Sequence, residues 1–324
     1  MNTILTIAKK EYTDMTRNAL FLTLSGFLLL LVGISIMIAS LDFSAQVAQY
    51  TAALAQLTQA ERLGAVLSAP QYYPLQMLRG TIEYLEIIGA IIAIVLGYLA
   101  ISKEKGTNTS RLLLTRPVSQ ATFIGGKVLG NSALILSLLG IIFVFIIGAI
   151  TGIGHVSFSG AELLKLAVTF LFTYLYLTFF FCFSMTLTLF SKDLPRALML
   201  SFTLWLVFVL IIPQVGDTMD PDNQVPGGFF SSMHVTQDQQ VQIIGQFKHY
   251  ENLRNALEVS SIEKHYERLS FATLGIKTTY NDKELGFILQ DKWIDLSLLV
   301  LFYFIGIALS YAFATNKRLM ASSP

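Results

Sequence analysis

Two glutamates, Glu83 and Glu86, stand at the head of an apolar run, and their spacing of three puts both carboxylates on one helical face. Carboxylates at membrane depth are costly and commonly mark ion, proton or substrate paths. Arg79 lies one turn before Glu83, so a local ion pair near the interface is the competing reading. Gly126-Lys127 comes nearest to a phosphate-binding loop, which needs a glycine, four residues and then Gly-Lys-Ser/Thr. Ala121 stands at the first glycine and Val128 at the magnesium-binding hydroxyl, which excludes ATP binding of that kind. The four histidines, His155, His234, His249 and His265, fall outside the apolar runs. Met233-His234 with Asp220 and Asp222 could hold a metal, but exposed histidines are usually solvated, so no ligands are assigned. No Gly-x-Ser-x-Gly elbow or His-Glu-x-x-His pattern occurs, which leaves hydrolytic chemistry without a carrier. The single Cys182 excludes an intrachain disulfide or a multi-cysteine cluster and reads as a small core residue. These residues give no catalytic, cofactor-binding or metal-binding set.

The elements that carry them are membrane helices. Of the 324 residues, 54% are hydrophobic and 13% charged, about half the charge usual in soluble domains. A net charge of +1 gives no field for nucleic acid. About 20 apolar residues span a bilayer's hydrocarbon core. Five charge-free runs of that length occur: Leu20 to Ser40, Val128 to Ile153, Leu166 to Ser191, Ala197 to Gly216 and Leu296 to Asn316. Ile82 to Ser102, with Glu83 and Glu86 at its start, makes a sixth. The first run is too long for a signal peptide, and the segment before it reads as retained. No internal repeat appears.

Lysine and arginine in short loops fix orientation. The N-terminal segment, the links Lys103 to Lys127 and Lys192 to Arg196, and the tail hold twelve of the 22 basic residues, all on one side of a six-span topology. That side is expected to be cytoplasmic, with both termini there and the protein in the cell membrane. Asp193 and Pro195 mark a tight cytoplasmic turn. The opposite loops carry helical periodicity: Val47, Tyr50, Leu54 and Leu57 in one, Ile243 to Leu257 and Ile262 to Leu269 in another. Thr236 with Gln239 and Ser260 with Glu263 read as capping boxes. The Gly126/Gly130 and Gly148/Gly152 spacings would permit close helix approach. The expected architecture is an all-α integral membrane protein with six transmembrane helices, an N-terminal amphipathic helix and helical external loops. Residues 1–18 form that first helix; 19–216 hold spans one to five, with an external helical loop at 41–81 and a cytoplasmic link at 103–127. An external helical cap occupies 217–292, and the sixth span and tail fill 293–324.

The link reads Ile101-Ser-Lys-Glu-Lys-Gly-Thr-Asn-Thr-Ser-Arg-Leu-Leu-Leu-Thr-Arg-Pro-Val-Ser, followed by Gly126-Lys127 entering the third span. It resembles the signature of type-2 ABC transporter permeases: an acidic–basic–Gly-Thr stretch, a leucine-rich helix, a Pro-Val-Ser turn and a Gly-Lys pair. Glu104, Lys105, Gly106, Thr107, Leu112 to Leu114, Pro117, Val118 and Ser119 occupy those positions, and Asn108 to Ser110 depart from the pattern. Lys10-Glu11 and Arg17 are similar to the basic–acidic pair and later arginine of the family's first helix. The resemblance implies a membrane-spanning, non-catalytic subunit that pairs with a second copy and with a separate cytoplasmic ABC ATPase holding ATP and magnesium, and that exports its substrate. Copper-site maturation permeases, which act on an external partner protein, are among the relatives it suggests. Lys10, Glu11, Glu104, Lys105, Gly106, Thr107, Arg111, Arg116 and Pro117 are then the candidate ATPase-coupling residues. Against this stand a basic loop that only binds lipid headgroups, and an ATP-independent channel, secondary transporter or membrane scaffold.

Overall fold

The computed structural model describes residues 3–60, 73–106, 119–153, 158–219, 229–233 and 235–315. Every regular element among them is helical. Six helices are long and apolar enough to cross a membrane: Ala19–Ala45, Pro74–Lys105, Gln120–Gly152, Gly160–Phe190, Leu194–Gly216 and Trp293–Ala312. The second and fourth form the centre of the bundle, 72% and 61% buried, whereas the first, fifth and sixth are 22% to 28% buried. The peripheral spans present Leu30, Met199 and Phe304 outward, as lipid-facing surfaces require.

The chain begins with α1 (Thr3–Thr16), followed by α2 (Ala19–Ala60). The sequence suggested a separate external helix beyond the first span, but α2 continues unbroken for 42 residues. No glycine or proline follows Gly33 in it, and its alanines, leucines and glutamines favour helix, so nothing interrupts the backbone. The apolar face expected from Val47, Tyr50, Leu54 and Leu57 lies outside the described side chains.

The second span starts two turns earlier than the run read from the sequence, at Pro74 and not Ile82. Pro74 opens a 3₁₀ turn (Pro74–Leu78) whose missing N–H is harmless at a helix start. Leu75, Met77 and Leu78 are all buried, which supplies the packing that sequence hydropathy did not register. Next come α3 (Arg79–Tyr84), a π turn (Leu85–Gly89) and α4 (Ala90–Gly106). The third and fourth spans are α5 (Gln120–Ile153) and α6 (Gly160–Phe190). A Cβ on Gly97 of α4 would lie 2.2 Å from the Phe181 carbonyl oxygen of α6, so only glycine permits this central contact. Asp193 caps α7 (Leu194–Trp205), accepting from the Arg196 N–H, and thus makes the expected turn. A second π turn (Leu206–Ile211) leads into α8 (Ile212–Met219).

The cap contains α9 (Phe229–Ser232), α10 (Gln237–Gln246), α11 (Lys248–Ser260) and α12 (Ile262–Thr273). Then α13 (Leu285–Asp291) leads to the sixth span, α14 (Trp293–Ala312). The helix expected over Ile243 to Leu257 breaks at Phe247, just after the weak helix former Gly245. The Gln239 side chain accepts from the Thr236 N–H at 3.1 Å, one arm of the box expected there. The other expected box does not form: Ser261, not Ser260, is the N-cap of α12, and its side chain makes no cap hydrogen bond. Gly275, at φ 66°, ends that helix in a left-handed turn, with the Ile276 N–H donating to the Phe271 carbonyl at 2.9 Å.

Both π turns leave a carbonyl that a neighbouring hydroxyl occupies. Tyr176 donates to the Glu86 carbonyl at 3.0 Å, and Ser261 donates to that of Phe208 at 2.6 Å. Between these anchors α12 is wedged against α6 and α14, with Ile262, Tyr266 and Leu269 buried at helical spacing. The Tyr266 ring stacks on Tyr176, 4.6 Å between centroids, and its hydroxyl lies 3.0 Å from that of Thr173. Burial raises the Tyr266 hydroxyl above its ordinary pKa. The cap is therefore built into the bundle as well as lying over it.

Candidate functional site: a buried charge cluster joining α1 to the central spans

Helix α1 buries Ala8, Glu11 and Met15, one stripe of an otherwise exposed amphipathic helix. It lies directly on α5, because α5 offers glycine there. A Cβ on Gly126 would come within 2.6 Å of the Ile7 side chain, and one on Gly130 within 2.5 Å of the Ala8 carbonyl oxygen. The Gly126/Gly130 spacing is thus a true close-approach face, whereas Gly148 and Gly152 have nothing within 4 Å.

Lys127 stands in that contact, 1% exposed at its side chain. Its ammonium donates to Glu11 of α1 at 2.9 Å and to the Ala100 carbonyl of α4 at 2.6 Å. It also lies 3.0 Å from Glu104 of α4 and 4.9 Å from the centre of the Phe123 ring. Lys10, half exposed at the rim, adds a second cation 3.6 Å from Glu104 and 3.9 Å from Glu11. Two carboxylates thus meet two ammonium groups. Such compensation is what buried charge demands, since each ion has lost its water. An open cavity of about 320 Å³ lies over the cluster, lined also by Asp14 and Lys103.

Lys105, the next lysine of α4, fastens a different helix. Its ammonium donates to the carbonyls of Thr188, Leu189 and Ser191 at 2.9, 3.0 and 3.0 Å. Those oxygens are the unpaired carbonyls at the C-terminus of α6, where the helix dipole favours a cation. The final turn of α4 therefore grips three elements: α1 and α5 through Glu104, and α6 through Lys105.

Of the residues read from the sequence as coupling candidates, Lys10, Glu11, Glu104 and Lys105 are brought together at this end of the bundle, and Gly106 closes α4 beside them. Glu11, Glu104 and Lys105 are 4%, 7% and 3% exposed, so they face the interior and not a partner. Thr107, Arg111, Arg116 and Pro117 lie outside the described residues. Sequence reasoning placed Lys127 in the motif but gave it no role. Its position in the polar opening turns of the third span, before the long apolar stretch, was the available signal.

The two acids of the second span separate. Glu83 forms the surface ion pair with Arg79 at 3.0 Å, the competing reading given above. Glu86, 8% exposed, turns inward towards Glu263 of α12, with Lys264 nearby. His265, expected to be solvated, is fully buried: Nδ1 lies 2.7 Å from Asp295 of α14 and Nε2 3.0 Å from the Val259 carbonyl. His249 is exposed as expected, while His155, His234, Asp220 and Asp222 lie outside the described residues. Among the described residues no group of three or more potential ligands could hold a metal. Cys182 is buried and unpaired, in the core role expected of it.

Six spans, two of them forming the centre, with an amphipathic N-terminal helix fastened to the bundle, define an all-α multi-pass membrane protein. Residues 5–320 match the family described as ABC-2 family transporter protein, and the chain belongs to that family. No curated protein sequence matches the chain. Membership makes it the membrane subunit of a transporter, a role that is generally non-catalytic and implies an ATPase as partner.

Proposed function

We propose that this chain is the membrane permease of an ATP-driven exporter in the cell membrane, coupled at its α1 end to a separate ATPase subunit. In this reading the α1 end and both termini are cytoplasmic, ATP and magnesium are held by the partner, and two copies of the permease assemble. The observation that carries it is the Lys127 cluster. A single buried ammonium ties α1, α4 and α5 together, joining Glu104 just before the segment 107–118 to Lys127 just after it, and Lys105 ties in α6. A push delivered to that segment or to α1 would be transmitted to the second, third and fourth spans as one body. Glu11, Glu104 and Lys105 then act as internal fasteners, with Lys10 and the residues at 107–117 left to meet the ATPase.

The observation that α12 is locked into the bundle supports a refinement: movement of the central spans would carry the cap with it, so the output could be force on an external accessory protein as well as passage of a solute. The test is affinity purification of the detergent-solubilised full chain from its native membrane with ATP and magnesium present, followed by assay of ATP hydrolysis. Copurification of an ABC ATPase supports the proposal. A chain that carries none, yet moves solute in ATP-free proteoliposomes, is a channel or secondary transporter, and the proposal fails.

A further inference from the structure

The cap holds an apolar pocket in which the coupling end takes no part. It is open, with a volume of about 550 Å³, within the range of small-molecule sites. Met219 at the end of α8, Phe229 and Phe230 of α9, Ile244 of α10, Phe247 at the α10–α11 break and Tyr250 of α11 line it. Two polar side chains share the wall, and each already has a partner. Glu251 pairs with Arg254 at 3.0 Å, and Thr218 donates to the Gln214 carbonyl. The rest of the wall is aliphatic or aromatic, so a ligand gains there by covering apolar surface and not through ionic contacts.

The fifth span identifies what covers this surface. Phe247, Tyr250 and Ile243 are 61%, 45% and 38% exposed, and a contiguous apolar patch of that kind marks a binding surface. Ile211, Val215 and Met219 lie four residues apart and so share one face of the helix. Ile211 and Val215 are exposed there, as lipid-facing residues of a span are, and Met219 carries the same ridge into the pocket. With α11 packed along α8, the pocket is held at the mouth of that span. The lipid-facing surface and the pocket wall are therefore continuous. Residues 220–228, which connect α8 to α9, read Asp-Pro-Asp-Asn-Gln-Val-Pro-Gly-Gly and contain no apolar run that would fill it.

We infer that this pocket takes the acyl chain of a lipid from the leaflet at the cap end, entering along the ridge of Ile211, Val215 and Met219. Hydrocarbon in the pocket removes its apolar side chains from water without stripping water from an unpaired charge. The inference rests on membrane insertion alone and stands or falls independently of the ATPase.

The test uses the full chain in phosphatidylcholine proteoliposomes that contain a trace of phosphatidylcholine with a diazirine at the end of one acyl chain. After irradiation, the lipid adducts are mapped by peptide mass spectrometry. The expected result is adducts on Met219, Ile244 and Phe247 of the pocket as well as on the lipid-facing Leu30 and Phe304. Ile244→Trp and Ile243→Trp each fill the pocket without adding charge, and each should lose the pocket adducts while Leu30 and Phe304 keep theirs. Labelling of Leu30 and Phe304 shows that a variant is inserted and folded, and either variant suffices. Adducts on Leu30 and Phe304 with none in the wild-type pocket would overturn the inference, as would pocket adducts that persist in a folded variant. A pocket free of lipid adducts in which Phe247→Cys forms a disulfide-linked dimer belongs to a second copy of the chain, and the inference fails.

Discussion

Replacing Lys127 with methionine removes an ammonium that makes three contacts within 3.0 Å, to Glu11, Glu104 and the Ala100 carbonyl. Methionine nearly conserves the volume, so the loss is electrostatic. Removing one partner of a buried ion pair costs about 3–5 kcal/mol, because the remaining charge is stranded without water. Here two carboxylates are stranded together. Lys10 can offset at most about 1 kcal/mol, since it is half exposed and reaches Glu104 only at 3.6 Å. A net loss of about 2–4 kcal/mol follows, measurable by equilibrium unfolding in mixed maltoside and dodecyl sulfate micelles. The combined variant Glu11→Gln, Glu104→Gln, Lys127→Met neutralises the three buried charges, leaves only the half-exposed Lys10 charged and should recover most of that loss, as neutral replacements of buried ion pairs do. If the single variant loses less than about 0.5 kcal/mol, or the triple variant is no more stable than the single, the electrostatic account of the cluster is wrong.

Three further outcomes are expected. Gly130→Ala drives a methyl into the Ala8 backbone and should displace α1 at a cost of about 1–3 kcal/mol, seen as a changed spin-label distance between α1 and α5, while Gly148→Ala, in open space, should be neutral. Ser261→Ala leaves the Phe208 carbonyl of the second π turn unpaired and should cost about 1 kcal/mol, with faster hydrogen exchange in α12 but not in α1. Because the Lys277 pKa is lowered, the unfolded chain binds more protons than the folded chain as pH approaches 10.5 from below. Wild-type stability should therefore gain from this group as pH rises through that window, and Lys277→Gln should abolish the gain without altering stability trends near neutrality.

The spans were legible because bilayer thickness imposes a length on apolar runs, and each of the six runs coincides with one observed span, three lying wholly inside it and three overrunning its C-terminal end. Their ends were not. Packing of Leu75 and Leu78 extends the second span beyond its polar boundary, and an absence of breakers carries α2 past the hydrocarbon. The N-terminal helix and the residues Lys10, Glu11, Glu104 and Lys105 were readable from their motif. What the motif could not say was that three of those side chains point inward, because charge on an amphipathic helix ordinarily signals a solvated face. The signal for Lys127, its place in the polar opening turns of the third span, pointed equally to the surface, because a lysine near the start of an apolar run usually snorkels to the interface. His265 was misplaced for a related reason. Helix α12 has the polarity of a surface element, and only the long-range contacts with Asp295 and Tyr176 show that its polar groups are satisfied inside the bundle.

The central claim is that this subunit receives mechanical input through the α1–α4–α5 junction. Its most direct test is ATP hydrolysis by the complex purified through this chain, reconstituted in proteoliposomes, with Glu104→Gln compared with wild type. The prediction is that the variant still carries its ATPase but loses the hydrolysis response to the permease. Full retention of both binding and response would contradict it.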